Sequence, residues 1–154
     1  MPYSDKITLG EIIKKYREFL SEFQALVGGI MLRILIADDK DLVRAGLRML
    51  LEKHANWTVC GEAVDGSEAV AKAIDLQPDL ILLDIAMPKL DGLKACRLLR
   101  DIAPNLEILV LTLYESPNVA RAAEAAGAHG YISKALIPTE LIPAIETITS
   151  HQAA

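Results

Sequence analysis

The tightest constraint on this chain is a rhythm that begins at residue 32. Short continuous apolar runs, "ILIA", "LILL" and "ILVL", recur with helical patterns between them. A strand wetted on one face alternates apolar and polar side chains, whereas a run apolar at successive positions needs cover on both faces. Alternation of such runs with helix-length segments is the sequence form of β-α units around a parallel sheet. Five units are counted, with strands expected at 33–37, 58–64, 80–84, 107–112 and 129–132. Helices are expected near 41–53, 67–76, 91–101, 117–126 and 139–149. Turn chemistry supports these boundaries: Asp65-Gly66-Ser67 offers a turn and an N-cap, Asp91 can cap the third of these helices, and Gly127 suits a left-handed C-cap. The expected fold is an open, doubly wound α/β sheet.

Residues 1–30 stand outside this rhythm. From Leu9 to Val27 the apolar positions Leu9, Ile12, Ile13, Tyr16, Phe19, Leu20, Phe23, Leu26 and Val27 repeat on a heptad as an a, d and e stripe. Lys14, Lys15, Arg17, Glu18 and Glu22 fall elsewhere. The spacing predicts one amphipathic helix. So short a helix needs tertiary support; it either packs on its own domain or serves a partner, a homodimer included. Gly28-Gly29 breaks it from the segment that begins at Met31, which looks like an ordinary starting methionine. The expected organisation is an N-terminal amphipathic extension, 1–30, and a main domain, 31–154.

Charge narrows the partners. A formal charge of −5 with no basic stripe argues against direct nucleic-acid binding, because that affinity comes largely from Lys and Arg neutralising phosphates. The apolar runs are too short to span a bilayer, and the N-terminus lacks the charged-then-apolar order of a secretory signal, so no membrane association is expected. Cys60 and Cys96 lie far apart and outside any metal-ligand spacing, which fits free thiols in a reducing cytosol. A cytoplasmic protein is the expectation.

The polar residues gather where the strands end. Asp38 and Asp39 close the first expected strand, Asp84 the third and Thr112 the fourth, and Lys134 lies just past the fifth. All five therefore fall at one edge of the sheet, and open α/β sheets bind ligands outside the carboxyl ends of their strands. Three carboxylates buried together call for a cation. Oxygen-only ligands without His or Cys select a hard ion, and Mg2+ is the one expected. Asp38 and Asp39 would hold it, while Asp84 shares it and is free to attack phosphorus as a carboxylate nucleophile. The Lys134 ammonium and the Thr112 hydroxyl would stabilise the phosphoryl oxygens.

The stretches "LIADD", "LILLDIAMPKLDG", "LVLT" and "GYISK" resemble the receiver domains of two-component response regulators, over roughly residues 32–150. Carried over position by position, the resemblance implies that Asp84 accepts a phosphoryl group from a sensor histidine kinase. It implies that Asp38 and Asp39 bind Mg2+, with the main-chain carbonyl of Ala86 as a further ligand. Thr112 and Lys134 would bind the phosphoryl oxygens, and Tyr131 would be the aromatic that changes rotamer on activation. The implied fold is flavodoxin-like, with strand order 2-1-3-4-5, the order known for a chemotaxis member of this family. "DDKDLVRAGLRMLLE" and "VLTLYES" resemble most the subfamily with a C-terminal helix-turn-helix (LuxR-type) output domain. The implied function is a non-enzymatic switch. Phosphorylation would change the face made by helices 117–126 and 139–149 and strand 129–132, and so control transcription through a DNA-binding domain absent from this chain.

The chain departs from the family pattern at several places. It stops at "SHQAA" after the last helix, which fits either a receiver alone or part of a longer protein. Ala135 follows the lysine where members often have Pro, and a non-proline cis bond is costly, which argues against the cis peptide found in them. Ala86 and Tyr114 occupy the two variable positions that flank the phosphate; neither positions water, so slow self-dephosphorylation is expected. Plainer readings stand beside the sharp ones: Asp39 or Asp41 as a helix N-cap, the "MPKLDG" loop as turn and cap, Tyr131 as ordinary sheet-edge packing, Lys134 as a solvated charge. His54, His129 and His151 share no ligand spacing and are read as surface or packing residues. Two other functions remain open. A metal-dependent phosphohydrolase would need a second Asp where Ala86 stands, and a receiver-like interaction module without phosphate would act by protein contacts alone.

Overall fold

The computed structural model describes residues 7–27 (the backbone alone at 24–27) and 31–150. The chain divides into two compact units, Met1–Met31 and Leu32–Ala154, and each is described by itself.

In the larger unit five strands pair in parallel in the order β2-β1-β3-β4-β5. They are β1 (Leu32–Ala37), β2 (Trp57–Ala63), β3 (Leu80–Asp84), β4 (Glu107–Thr112) and β5 (Gly130–Ser133). The helices that connect and follow them are α2 (Asp41–Glu52), α3 (Gly66–Leu76), α4 (Gly92–Ile102), α5 (Pro117–Ala125) and α6 (Ile137–Thr149), with a short 3-10 turn, Lys134–Leu136, before α6. This is the flavodoxin-like order that the sequence implies. Period-two alternation sends neighbouring strand residues to opposite faces, and each face carries its own core. Leu35, Ile81, Leu83, Ile108 and Val110 cluster with residues of α3, α4 and α5. Ile34, Ile36, Leu80, Leu82, Leu109 and Leu111 cluster with Leu47 and Leu51 of α2 and Leu141 and Ile145 of α6. Helices on both sides explain why the strands read as unbroken apolar runs.

Most expected boundaries shift by a residue or two. β5 begins at Gly130 rather than 129, and α6 begins at Ile137 rather than 139; Pro138 sits in the first turn of α6, where its missing N–H is no loss. The capping reading of the first aspartates is corrected. Lys40 occupies the N-cap of α2 and no side chain caps it; the Asp38 carboxylate accepts from the Lys40 N–H at 2.9 Å instead. Asp65 and Asp91 do cap α3 and α4, accepting from the amides of Glu68 and Lys94. Gly127 lies just past α5 with φ +96, as the left-handed reading requires. The described peptide bonds are all trans, the Lys134–Ala135 bond included.

The smaller unit contains α1 (Leu9–Val27), the amphipathic helix. Thr8 and Glu11 cap it reciprocally: the Thr8 N–H donates to Glu11 Oε2 at 2.8 Å and the Glu11 N–H to Thr8 Oγ1 at 3.2 Å. Phe19 and Phe23 stack with ring centroids 6.0 Å apart. Leu26, Val27 and Gly28-Gly29 of the heptad reading, and His151, lie outside the described side chains. Among the described residues no helix is long and apolar enough to cross a membrane.

Candidate functional site

Register alone brings the first carboxylates together. Ala37 of β1 pairs with Leu83 of β3, so the next residues, Asp38 and Asp84, emerge side by side at the carboxyl edge of the sheet. This is the switch point: from β1 the chain leaves toward β2 on one side, and from β3 it leaves toward β4 on the other. Asp38 and Asp84 are buried, 0% and 1% exposed, and Asp39 is exposed. One carboxylate oxygen from each of the three lies within 4.8 Å of the others. Thr112 of β4 pairs with Ser133 of β5, which delivers Lys134 to the same edge. Its side chain is 7% exposed; Nζ lies 2.6 Å from Asp38 Oδ2 and 3.3 Å from Asp84 Oδ2.

The two aspartates are not equally satisfied. Asp84 Oδ1 accepts from the Ala86 N–H at 3.1 Å, but buried Oδ2 accepts no hydrogen bond. The Lys134 ammonium, 3.3 Å away, lies near it without the geometry of a donated bond. Burial pushes the Asp84 carboxyl above its ordinary range; the Asp38 charge adds to this, while the Ala86 N–H and Lys134 oppose it. For Lys134 burial pulls downward, but the Asp38 hydrogen bond and the Asp84 charge outweigh it and leave the ammonium raised. A buried carboxylate oxygen without a donor, beside two more carboxylates, suits a hard cation in an all-oxygen site.

Thr112 and Tyr131 stand differently. Thr112 is 2% exposed, but its hydroxyl is engaged in its own loop, donating to the Tyr114 carbonyl at 3.0 Å and accepting from the Tyr114 N–H at 3.2 Å. Tyr131, on β5 opposite Val110, is half-buried against the core that faces α3, α4 and α5. The structure thus brings Asp38, Asp39, Asp84 and Lys134 together, with Thr112 at the same edge but turned to its loop, and Tyr131 packed apart.

Sequence reading missed the supports of this site. Arg44, one turn into α2, donates through Nη1 to the main-chain carbonyl of Asp38 at 2.8 Å and through Nε to Glu62 at 3.2 Å, and also pairs with Asp41. It fixes the backbone that carries the acidic pair. The loop after β3 is held equally tightly. A Cβ on Gly92 would overlap the Asp84 carbonyl, and one on Gly66 would overlap the Leu90 carbonyl. Lys89, at φ +65, reaches Asp65 at 3.4 Å. The glycines were visible as turn signals; which backbone each approaches was not. His129, read as packing or surface, accepts from the Ile108 N–H at 3.0 Å through Nδ1 and lies 3.1 Å from Glu107 through Nε2, at the opposite edge of the sheet.

A family model described as the response regulator receiver domain matches residues 34–146. The chain belongs to that family. This receiver is 38% identical over 123 residues to the response regulator UvrY of Escherichia coli, a match covering 79% of this chain and 56% of UvrY. It is 37% identical over 122 residues to the transcriptional regulatory protein YxjL of Bacillus subtilis, covering 79% and 56%. Among solved structures, a two-component response regulator of the LuxR family from an Aurantimonas species superposes with a TM-score of 0.75 at 35% identity, covering 79% of this receiver and 86% of that chain. The receiver thus spans a little over half the length of the curated relatives it matches.

Proposed function

We propose that Asp84 is the phosphoacceptor of this receiver and that Asp38, Asp39, Asp84 and the main-chain carbonyl of Ala86 hold Mg2+ beside it. The observation that carries this reading is the three-carboxylate cluster with Lys134 spanning its two buried members and Asp84 Oδ2 left without a donor. Mg2+, when bound, would offset the carboxylate charge and draw negative charge off the phosphoryl oxygens.

The chain's own residues do the rest. An Asp84 oxygen attacks the phosphorus of a sensor histidine kinase's phosphohistidine; the new O–P bond forms as the P–N bond breaks, and the electron pair returns to the imidazole nitrogen. Lys134, already against Asp84, neutralises charge on the phosphoryl group. The Thr112 hydroxyl leaves Tyr114 to donate to a phosphoryl oxygen, and Tyr131 changes rotamer into the space that opens. The face of α5, β5 and α6 changes with them. An open groove of about 400 Å3 on that face, lined by Tyr131, Thr139, Glu140, Pro143 and Thr147 among others, would receive the next partner. Ala86 and Tyr114 are both exposed; Ala86 has no polar side-chain atom and Tyr114 brings no carboxylate or amide to hold a water in line, which supports a long-lived phosphoryl state.

In the whole protein the output would be control of transcription through a DNA-binding segment, in the cytoplasm, with no nucleic-acid contact by this chain. Residues 1–30 would act as an extension to a receiver of residues 31–154, and a homodimer is compatible with it. The test is intact-mass spectrometry after incubation with acetyl phosphate and Mg2+. One phosphoryl group should add to the wild type, and none to Asp84→Asn or to the wild type in EDTA. Phosphorylation of the Asn variant, or none of the wild type, would overturn the reading.

A further inference from the structure

Helix α1 presents an apolar stripe that its own unit does not cover. Leu9, Ile12, Tyr16, Phe19 and Phe23 are between 50% and 72% exposed, and Ile13 and Leu20 are 45% and 37% exposed. A 19-residue helix is marginal in water unless such a face is buried. Its charges say against what. On the heptad with Leu9, Tyr16 and Phe23 at a, Ile12 and Phe19 at d, and Ile13 and Leu20 at e, the g positions flanking the stripe are Lys15 and Glu22, both exposed. A parallel copy would set these charges beside the apolar e positions, where neither finds a partner.

We propose that α1 pairs antiparallel with α1 of a second copy of this chain. In that arrangement g faces g and e faces e. Tyr16 packs on Phe19 of the second copy and Ile12 on its Phe23, and the e-side contact is Ile13 on Leu20. Lys15 then meets Glu22, and by the two-fold axis Glu22 meets Lys15, so one self-complementary patch makes both ion pairs. The register is fixed as well. A slip of one heptad in one direction sets Lys15 against Lys15, and in the other Glu22 against Glu22, and like charges so placed oppose pairing.

This pairing is separate from phosphoryl transfer and stands or falls without it. Sedimentation velocity on the full chain tests it, with the melting transition of each variant confirming an intact receiver unit. The wild type should dimerise, and Asp84→Asn should dimerise equally. Lys15→Glu and Glu22→Lys should each weaken the dimer about tenfold, since each turns two attractive contacts into two repulsive ones. The double variant, with the charges exchanged, should recover the wild-type constant. A wild type that stays monomeric at all concentrations, as it would if the stripe folded against its own receiver unit or awaited a foreign helix, overturns the proposal. So does a dimer indifferent to the single reversals, or one that the double exchange fails to restore.

Discussion

Arg44 shows how one side chain can prepare a site it does not enter. Its guanidinium joins the Asp38 carbonyl to Glu62, so Arg44→Met would free the backbone that aims Asp38 and Asp39. Calorimetric titration should find Mg2+ affinity lowered about 10-fold, the scale on which second-layer partners act. Arg44→Lys should restore little of it, because an ammonium lacks the fork that holds two acceptors at once. Cys96 makes a different case. Burial pushes its thiol up from 9.0 to about 11, while Sγ donates to the Ala126 carbonyl at 3.4 Å. A raised acid group stabilises the fold fully below its unfolded pKa and loses that contribution as pH rises through the folded value. Urea midpoints should therefore decline between about pH 9 and pH 11, and Cys96→Ala, though less stable throughout, should decline less steeply over that window. The residues with the clearest chemistry were also the most legible. Asp38, Asp84, Thr112 and Lys134 could be placed because each abuts a strand whose end the apolar run announces. Arg44 could not, since nothing local distinguishes it from Arg48, which pairs with Glu52 and Glu62 farther along the same helix.

Elements show the same division between local and distant causes. β3 and β4 span the residues expected of them, 80–84 and 107–112, and both strands are buried along their whole length. β2 and β5 lie at the edges of the sheet, with one neighbour each, and their ends drift from the pattern by a residue. The heptad stripe located α1, but the Thr8–Glu11 capping box that fixes where it starts went unread. The hydroxyl direction of Thr112 was not readable, since it depends on how the loop after β4 folds back on itself. Packing sets two outcomes at this scale. Gly66→Ala should destabilise by roughly 2 kcal/mol in urea unfolding, because its Cβ meets the Leu90 backbone rather than a side chain that could move. Pro143 lies inside α6 and cannot donate to the carbonyl one turn earlier, so Pro143→Ala should raise the urea midpoint, by up to about 3 kcal/mol in stability.

At the scale of the whole molecule, the proposed Mg2+ site predicts that the ion acts as a fold-stabilising ligand, because the three carboxylates are gathered only in the native sheet. Mg2+ at a hundredfold over its dissociation constant would add about 2.7 kcal/mol. Thermal melts should show this for the wild type and a much smaller gain for Asp38→Asn. The longest-range of the site's contacts has a temporal meaning. Asp38 and Lys134 touch at 2.6 Å across 96 residues of sequence, joining the residue just beyond the first strand of the sheet to the one just beyond the last. A ribosome releases the acidic end of that bond long before the basic one. Under the proposed function, a nascent or clipped copy would hold its acceptor without the ammonium and stay deaf to the kinase. Competence to receive a signal would thus arrive only with the finished domain.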